Sequence, residues 1–270
     1  IPLEWISVSD MDTERCPHGM GTFGDRVTTL GGNAARNAAI DARKKMIDVA
    51  ARKLEVEPTE LTLKNAFFQT NDGKSLGFVE TAEIASYEKA GATVIGYGSF
   101  QPPNVSMVHP ETKVGNISCA YPYVTQIVEV AVNNQTGEVK LLEIVSSHDL
   151  GKAINPMMAE GQVFGAVAMG IGFALMEAMV EKNGAVCNQS FKHNYMPRTT
   201  DMPPLVSLLI ESDDPNGPYG AKGLGEPALT AIAPAIANAI YDAVGVRIRS
   251  LPINPEILLK EIYKNKKFYK

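Results

Sequence analysis

An α+β fold is predicted for this 270-residue chain, and three features of the sequence predict it. Residues Val124 to Val132 and Glu138 to Ser147 are rich in β-branched side chains and flank the turn Asn133-Asn134-Gln135-Thr136-Gly137, so they pair as a hairpin. Ala35, Ala38, Ala39, Ala42, Met46, Val49, Ala50 and Leu54 recur at helical period and make one buried stripe. Two long apolar segments, one after Pro156 and one after Pro227, read as buried helices. The length allows one large or two small domains, and 45% hydrophobic with 20% charged residues is ordinary for a packed core.

Along the chain, residues 3 to 9 alternate as a strand does, and Asp10-Met11-Asp12-Thr13 reads as a turn. A glycine-rich run, Gly19-Met20-Gly21-Thr22-Phe23-Gly24-Asp25-Arg26 through Gly32, leads to the first helix, which ends before Pro58. Residues 60 to 100 read as short strands around a helix near Phe78 to Lys89. Pro102, Pro103 and Pro110 mark 101 to 115 as a long connecting loop. The helix after Asn155-Pro156 contains Gly161, Gly165, Gly170 and Gly172, each costing about 1 kcal/mol against alanine. Such a helix is tolerable only where another backbone or a ligand comes very close. A third glycine cluster, Gly217 to Pro227, feeds a helix over Ala228 to Val244 that is apolar nearly all round and is therefore expected to be buried. The lysine-rich tail, Lys260 to Lys270, reads as a solvated end.

Composition excludes several classes of function. With 25 Lys and Arg against 30 Asp and Glu, the net charge of −5 argues against non-specific nucleic-acid binding. Three scattered cysteines provide neither a disulfide framework, nor a cysteine-rich zinc site, nor thiolate ligation of an iron–sulfur cluster. No stretch approaches the roughly 18 uninterrupted apolar residues of a membrane span; the longest candidate, Val163 to Met179, is full of Gly and Ala. The four histidines lack ligand-like spacing, and Cys16-Pro17-His18 reads as structural.

Two motifs carry possible chemistry. Gly19-Met20-Gly21-Thr22-Phe23-Gly24 matches the dinucleotide pattern GxGxxG, but a Rossmann site needs a strand just before it, a helix just after and an acidic residue about 20 positions on. Here the helix is expected some eight residues late and the region near Lys44 is basic. The loop remains either a phosphate cradle assisted by Arg26 or a tight turn with a paired arginine. Lys222 lacks the Gly-Lys-Ser/Thr order of a P-loop. Glu226, framed by Gly225 and Pro227 at a helix entrance, is either a capping residue or a general base in a dry pocket.

Taken together, these segments resemble the molybdenum hydroxylases of the xanthine dehydrogenase and aldehyde oxidoreductase family, in the C-terminal part of the molybdopterin-binding subunit. The resemblance rests on Gly21-Thr22-Phe23-Gly24-Asp25-Arg26, on Thr136-Gly137-Glu138-Val139, and on the run from His148-Asp149-Leu150-Gly151-Lys152 to Asn155-Pro156. Ala159-Glu160-Gly161-Gln162, Gly170-Ile171-Gly172, Gly220-Ala221-Lys222-Gly223-Leu224-Gly225-Glu226-Pro227 and the helix Ala235 to Ala243 extend it across almost the whole chain. It implies an α+β molybdopterin-binding domain with mixed sheets and long buried helices over residues 1 to 270, in two lobes of about 1–115 and 116–270.

The resemblance also implies a site. Glu226 becomes the base beside molybdenum, in a reaction that hydroxylates an N-heterocycle (nicotinate- or purine-like) or an aldehyde at carbon with water as oxygen donor. Phe23, Gly24, Asp25, Arg26, Val27 and Thr28 match the loop that binds the pterin and its phosphate. Met169 and Gly170 match a helix segment passing close to the cofactor, and Gly225 frames the base. The metal is held by the pterin dithiolene, so no protein ligand is implied. The cofactor is expected in its cytosine dinucleotide form, with [2Fe–2S] and FAD on partner subunits, and the location is expected to be cytoplasmic.

Met169 stands where relatives usually carry Gln, and a thioether cannot donate that amide's hydrogen bond. Asp25 and Val27 replace small hydroxyl residues common in some members. The family's upstream half, with its Phe-Gly-Gly-type loop, is absent. The chain is therefore expected to supply part of a site completed by another molybdopterin-binding half, either as a split subunit, as in nicotinate dehydrogenase, or as a piece of a longer chain. Exposed apolar surface is expected in both cases. Two other readings compete: a non-catalytic scaffold or cofactor-insertion subunit of the same fold, and an NAD-dependent dehydrogenase using residues 19 to 24.

Overall fold

A computed structural model describes residues 1–9, 11–88 and 91–268, without the side chains of 265–268. The chain divides into two compact units, one of residues 1–23 and 30–102, the other of residues 24–29 and 103–270.

In the first unit, helix α1 (Gly32–Leu54) buries Met46, Ala50 and Ala51 against an antiparallel three-stranded sheet. Its strands are β1 (Thr62–Lys64), β2 (Phe67–Gln69) and β3 (Ser75–Gly77), in the order β1-β2-β3. Fully buried Phe68 fills the space between helix and sheet, and helix α2 (Phe78–Glu88) follows. Lys89, the expected end of α2, lies outside the described residues, as does Asp10 of the first expected turn.

The first expectation to fail is the strand over residues 3 to 9. A 3₁₀ turn, Leu3–Trp5, stands there instead, and no strand pairs with the segment among the described residues. Alternation alone does not make a strand without a neighbouring edge to share hydrogen bonds. The segment is held by a side chain: the Trp5 ring lies 6.5 Å from that of Phe78.

In the second unit, β4 (Tyr123–Val132) and β5 (Val139–Asp149) form the expected hairpin. Asn133 Oδ1 accepts the Gln135 and Thr136 N–H groups, and Gly137 takes φ +76°. Between them and the next strands lies helix α3 (Pro156–Leu175), capped by Asn155, whose side chain accepts the Met158 N–H. A small hairpin of β6 (Glu181–Lys182) and β7 (Ala185–Val186) follows. Strand β8 (Leu205–Ile210) then adds to β5 in parallel, giving a mixed sheet of order β4-β5-β8.

The third glycine cluster leads into α4 (Pro227–Thr230) and α5 (Ile232–Val244), not into one helix. The break follows from Pro234, whose ring collides with the carbonyl four residues back, at Thr230, and which has no N–H to give it. The expectation of all-round burial also needs correction. Ala228, Ile232, Ile236 and Ile240 form one fully buried row, while Pro234, Asn238 and Tyr241 are exposed. Gly245 ends α5 in the left-handed region, and α6 (Pro255–Phe268) buries Leu258 and Ile262 in the same core. The expected lysine tail is thus largely helical; Tyr269 and Lys270 lie outside the described residues.

Helix α3 and the Pro227–Val244 stretch are long and apolar enough to cross a membrane by length and composition alone. Here they are core helices: Val163, Val167 and Ile171 pack with Ile232, Ile236 and Ile240 in one fully buried cluster.

Candidate active site

Two loops of the second unit are joined by reciprocal hydrogen bonds. The Gly24 N–H donates to Glu226 Oε1 at 2.9 Å, and the Glu226 N–H donates to Asp25 Oδ1 at 3.0 Å. Gly24 and Asp25 each have φ of +54°, which turns both toward the second loop; asparagine and aspartate are among the few side chains that tolerate this region. Across from them, a Cβ on Gly223 would lie 2.3 Å from Asp25 Cβ, so only glycine lets the loops come this close.

Glu226 opens α4 without capping it: its side chain makes no hydrogen bond to its own first turn. The carboxylate instead turns across the loop to Gly24 and remains exposed. Burial pushes the Asp25 carboxyl above its usual value and the negative charge of Glu226 adds to this. The Glu226 and Gly225 N–H groups pull the other way without cancelling it.

Beside Gly225 lies an open cleft of about 300 Å³, lined among others by Thr28, Asn155, Met158, Gln162, Lys222 and Leu224. It sits at the N-terminal turn of α3, where the helix dipole favours an anion although Asn155 already takes the Met158 and Ala159 N–H groups. Gly161 and Gly165 of α3 face open space. No group of three His, Cys, Asp or Glu that could hold a metal ion occurs among the described residues.

Lys222 anchors the Glu226 loop to the end of β5. Its Nζ, nearly buried, donates to Asp149 Oδ2 at 2.7 Å and to the Tyr121 carbonyl at 3.2 Å, and lies 5.6 Å from the centre of the Tyr123 ring. Burial pushes the Asp149 carboxyl up, but Lys222, Ser212 and the Gly151 N–H all donate to it and hold it below its usual value.

A second anchor lies under α4. Gln126 Nε2 donates to the Ala228 carbonyl at 2.9 Å and to Ser146 Oγ at 2.8 Å. Ser146 Oγ lies 2.7 Å from Nε2 of His148, and both side chains are buried. The direction of that hydrogen bond follows the histidine tautomer, and a buried ring with no carboxylate partner favours the neutral form. Burial lowers the His148 pKa in the same direction.

The structure therefore brings Gly24, Asp25, Gly225 and Glu226 into contact and sets Thr28 in the adjoining cleft. Helical structure starts at Val27, earlier than expected, as a π-helical turn Val27–Gly31 that runs into α1; no strand precedes the glycine loop among the described residues, so the Rossmann context is missing. Phe23 and Val27 are exposed and Arg26 is half-buried. Met169 is exposed, about two turns along α3 from Gln162. What approaches Gly170 is a packed side chain: a Cβ there would overlap Ile232 Cγ2 at 1.5 Å. Lys222 and Asp149 both lie in quoted motifs, yet nothing in their spacing announces that they pair across 73 residues. Gln126 and Ser146 were legible only as strand residues, and His148, the first residue of a family motif, proves to belong to the strand as well.

The family model for the molybdopterin cofactor-binding domain matches residues 1–203. The chain belongs to this family. The match ends before the Glu226 loop, but longer alignments cover it. The gamma subunit of the 6-hydroxypseudooxynicotine dehydrogenase complex of Paenarthrobacter nicotinovorans is 33% identical over 95% of this chain and 32% of its own length. The putative xanthine dehydrogenase molybdenum-binding subunit of Escherichia coli K12 is 31% identical over 97% of this chain and 34% of its own. Among solved structures, the reconstituted CO dehydrogenase from Oligotropha carboxidovorans superposes with a TM-score of 0.79 at 25% identity, over 96% of this chain and 31% of that one. These matches bear out the resemblance to molybdenum hydroxylases and the α+β class with its mixed sheet. This member of the family spans about a third of the length of these relatives.

Proposed function

We propose that this chain supplies the general base and part of the cofactor cradle of a molybdenum hydroxylase. The reading rests above all on Glu226: an exposed carboxylate, fixed by the Gly24 N–H, next to a cleft that presents the Thr28, Asn155 and Gln162 side chains. The donor set fits a phosphate-bearing group: the cleft offers the Thr28 hydroxyl, the Asn155 and Gln162 amides and the positive end of the α3 dipole.

The loop from Phe23 to Thr28, with Asp25, Arg26 and Val27, would hold the cofactor from one side. Gly225, Gln162 and the start of α3 would hold it from another, with Met169 farther along that helix; Gly170, buried against Ile232, serves helix packing instead. When bound, molybdopterin supplies a redox-active metal that takes up the electrons of C–H oxidation. Glu226 accepts the proton released as water provides the oxygen, and Gly24 keeps its carboxylate aimed while Pro227 and Ala228 hold its backbone at the head of α4. Met169 offers an apolar contact and donates no hydrogen bond.

The two units together would form the second molybdopterin-binding domain, with the other half completing the site. We assign the substrate to the N-heterocycles, nicotinate- or purine-like, or to aldehydes, because the names of the relatives carry a nicotine derivative and the purine xanthine. The cytosine dinucleotide form of the cofactor, an iron–sulfur and a flavin partner subunit, and a cytoplasmic location belong to the same proposal. Glu226→Gln in the assembled enzyme tests it: turnover should fall by about 10²–10⁴, the usual loss of a general base, and a fall of less than about tenfold would overturn the role.

A further inference from the structure

The Gly24–Asp25 turn has a second task, resting on the reading of Glu226 as the base. We propose that Asp25 is the positioning residue for Glu226, fixing its backbone while Gly24 fixes its carboxylate.

The geometry is reciprocal. Asp25 Oδ1 accepts the Glu226 N–H at 3.0 Å, and one residue earlier the Gly24 N–H reaches Glu226 Oε1 at 2.9 Å. A side chain held at both ends loses the freedom to swing, and placement within about an ångström governs rates by as much as about 10²-fold. Asp25 takes up a left-handed backbone to do this, a conformation that persists in a side-chain-bearing residue only where the surroundings impose it. The surroundings do: Gly223 packs so closely on Asp25 that a Cβ would reach both its Cβ, at 2.3 Å, and its carbonyl oxygen, at 2.5 Å, and Gly225 borders its Oδ1. Helix α4 begins immediately after, so the hydrogen bond reaches the residue on which the helix is hung. The partly buried carboxyl of Asp25 accepts the Glu226 and Gly225 backbone N–H groups, which is the arrangement of a positioning acceptor.

The role separates from charge by substitution. Asp25→Asn keeps an oxygen that accepts the Glu226 N–H, whereas Asp25→Ala removes it. Amide hydrogen exchange on the peptide covering residues 220 to 231, in the complex containing this chain, reads the hydrogen bond without turnover. We expect Asp25→Ala to speed exchange at Glu226 by about tenfold, and Asp25→Asn to stay within about threefold of the unmodified protein. The same complex assayed with nicotinate and with hypoxanthine should show kcat lowered by about tenfold in the alanine variant, KM unchanged within about twofold, and recovery in the asparagine variant. Unchanged exchange at Glu226 in the alanine variant overturns the proposal. Faster exchange spread equally over β4 and β5 also overturns it, since that is loss of fold. Glu226→Gln, run alongside, separates the two readings: retained turnover there removes the base while leaving the exchange result standing.

Discussion

A methyl group has no room at Gly170, where it would sit 1.5 Å from Ile232 Cγ2, whereas Gly165, five residues earlier on the same helix, faces open space. The two glycines look alike in sequence and should behave oppositely. Gly170→Ala should cost about 1–3 kcal/mol of unfolding free energy by overpacking, and Gly165→Ala should gain up to about 1 kcal/mol from helix propensity. Chemical denaturation of both variants checks this. The same scale holds the Lys222–Asp149 pair, whose side chains are only 7% and 15% exposed. Lys222→Met strands a buried carboxylate and should destabilise by about 3–5 kcal/mol, and adding Asp149→Leu should recover much of that loss. Retention of full stability in Lys222→Met would show that the pair holds nothing in place.

At the scale of elements, Gln126, Ser146 and His148 tie the sheet to the first turn of α4. Their pH behaviour follows from burial. The His148 pKa is depressed below the ordinary imidazole value of 6.5, so the unfolded chain takes up a proton that the folded one refuses. Its contribution is therefore complete above that value and is lost as pH falls below it. His148→Gln, which keeps a hydrogen bond to Ser146, should flatten the fall in unfolding free energy between about pH 7 and pH 5; an unchanged slope would mean that His148 titrates as it does in the unfolded chain.

The hairpin, α1 and α3 were legible because β-branched runs, a helical period and an asparagine cap are local signals. The expected stripe of α1, however, is buried only in its C-terminal half, Ala35 and Ala39 being exposed. The break at Ala231 was legible too, in Pro234, but uniform apolarity obscured it. The missing strand at residues 3 to 9 and the buried row of α5 were not, because each depends on what else is present to pair with or to pack against. For the site, Glu226 stood out by its glycine frame. Its partner 201 residues away, Asp25, and the Lys222 anchor are non-local contacts that no spacing encodes.

Over the whole molecule, the chain carries two units, a third of the length of its relatives, and many exposed apolar side chains, including Val8, Met107 and Phe191 at 90%, 89% and 85% exposure. Under the proposal that another half completes the cofactor site, exposed apolar side chains of this kind are where that half would pack. Residues that hold Glu226, border the cleft and anchor both to the sheet all lie in the second unit. The most direct test of this account is metal and organic-cofactor analysis of the complex purified with its natural partners. The account predicts molybdenum together with a pterin dinucleotide, in constant ratio to this chain. A fully assembled and matured complex that contains neither would contradict it.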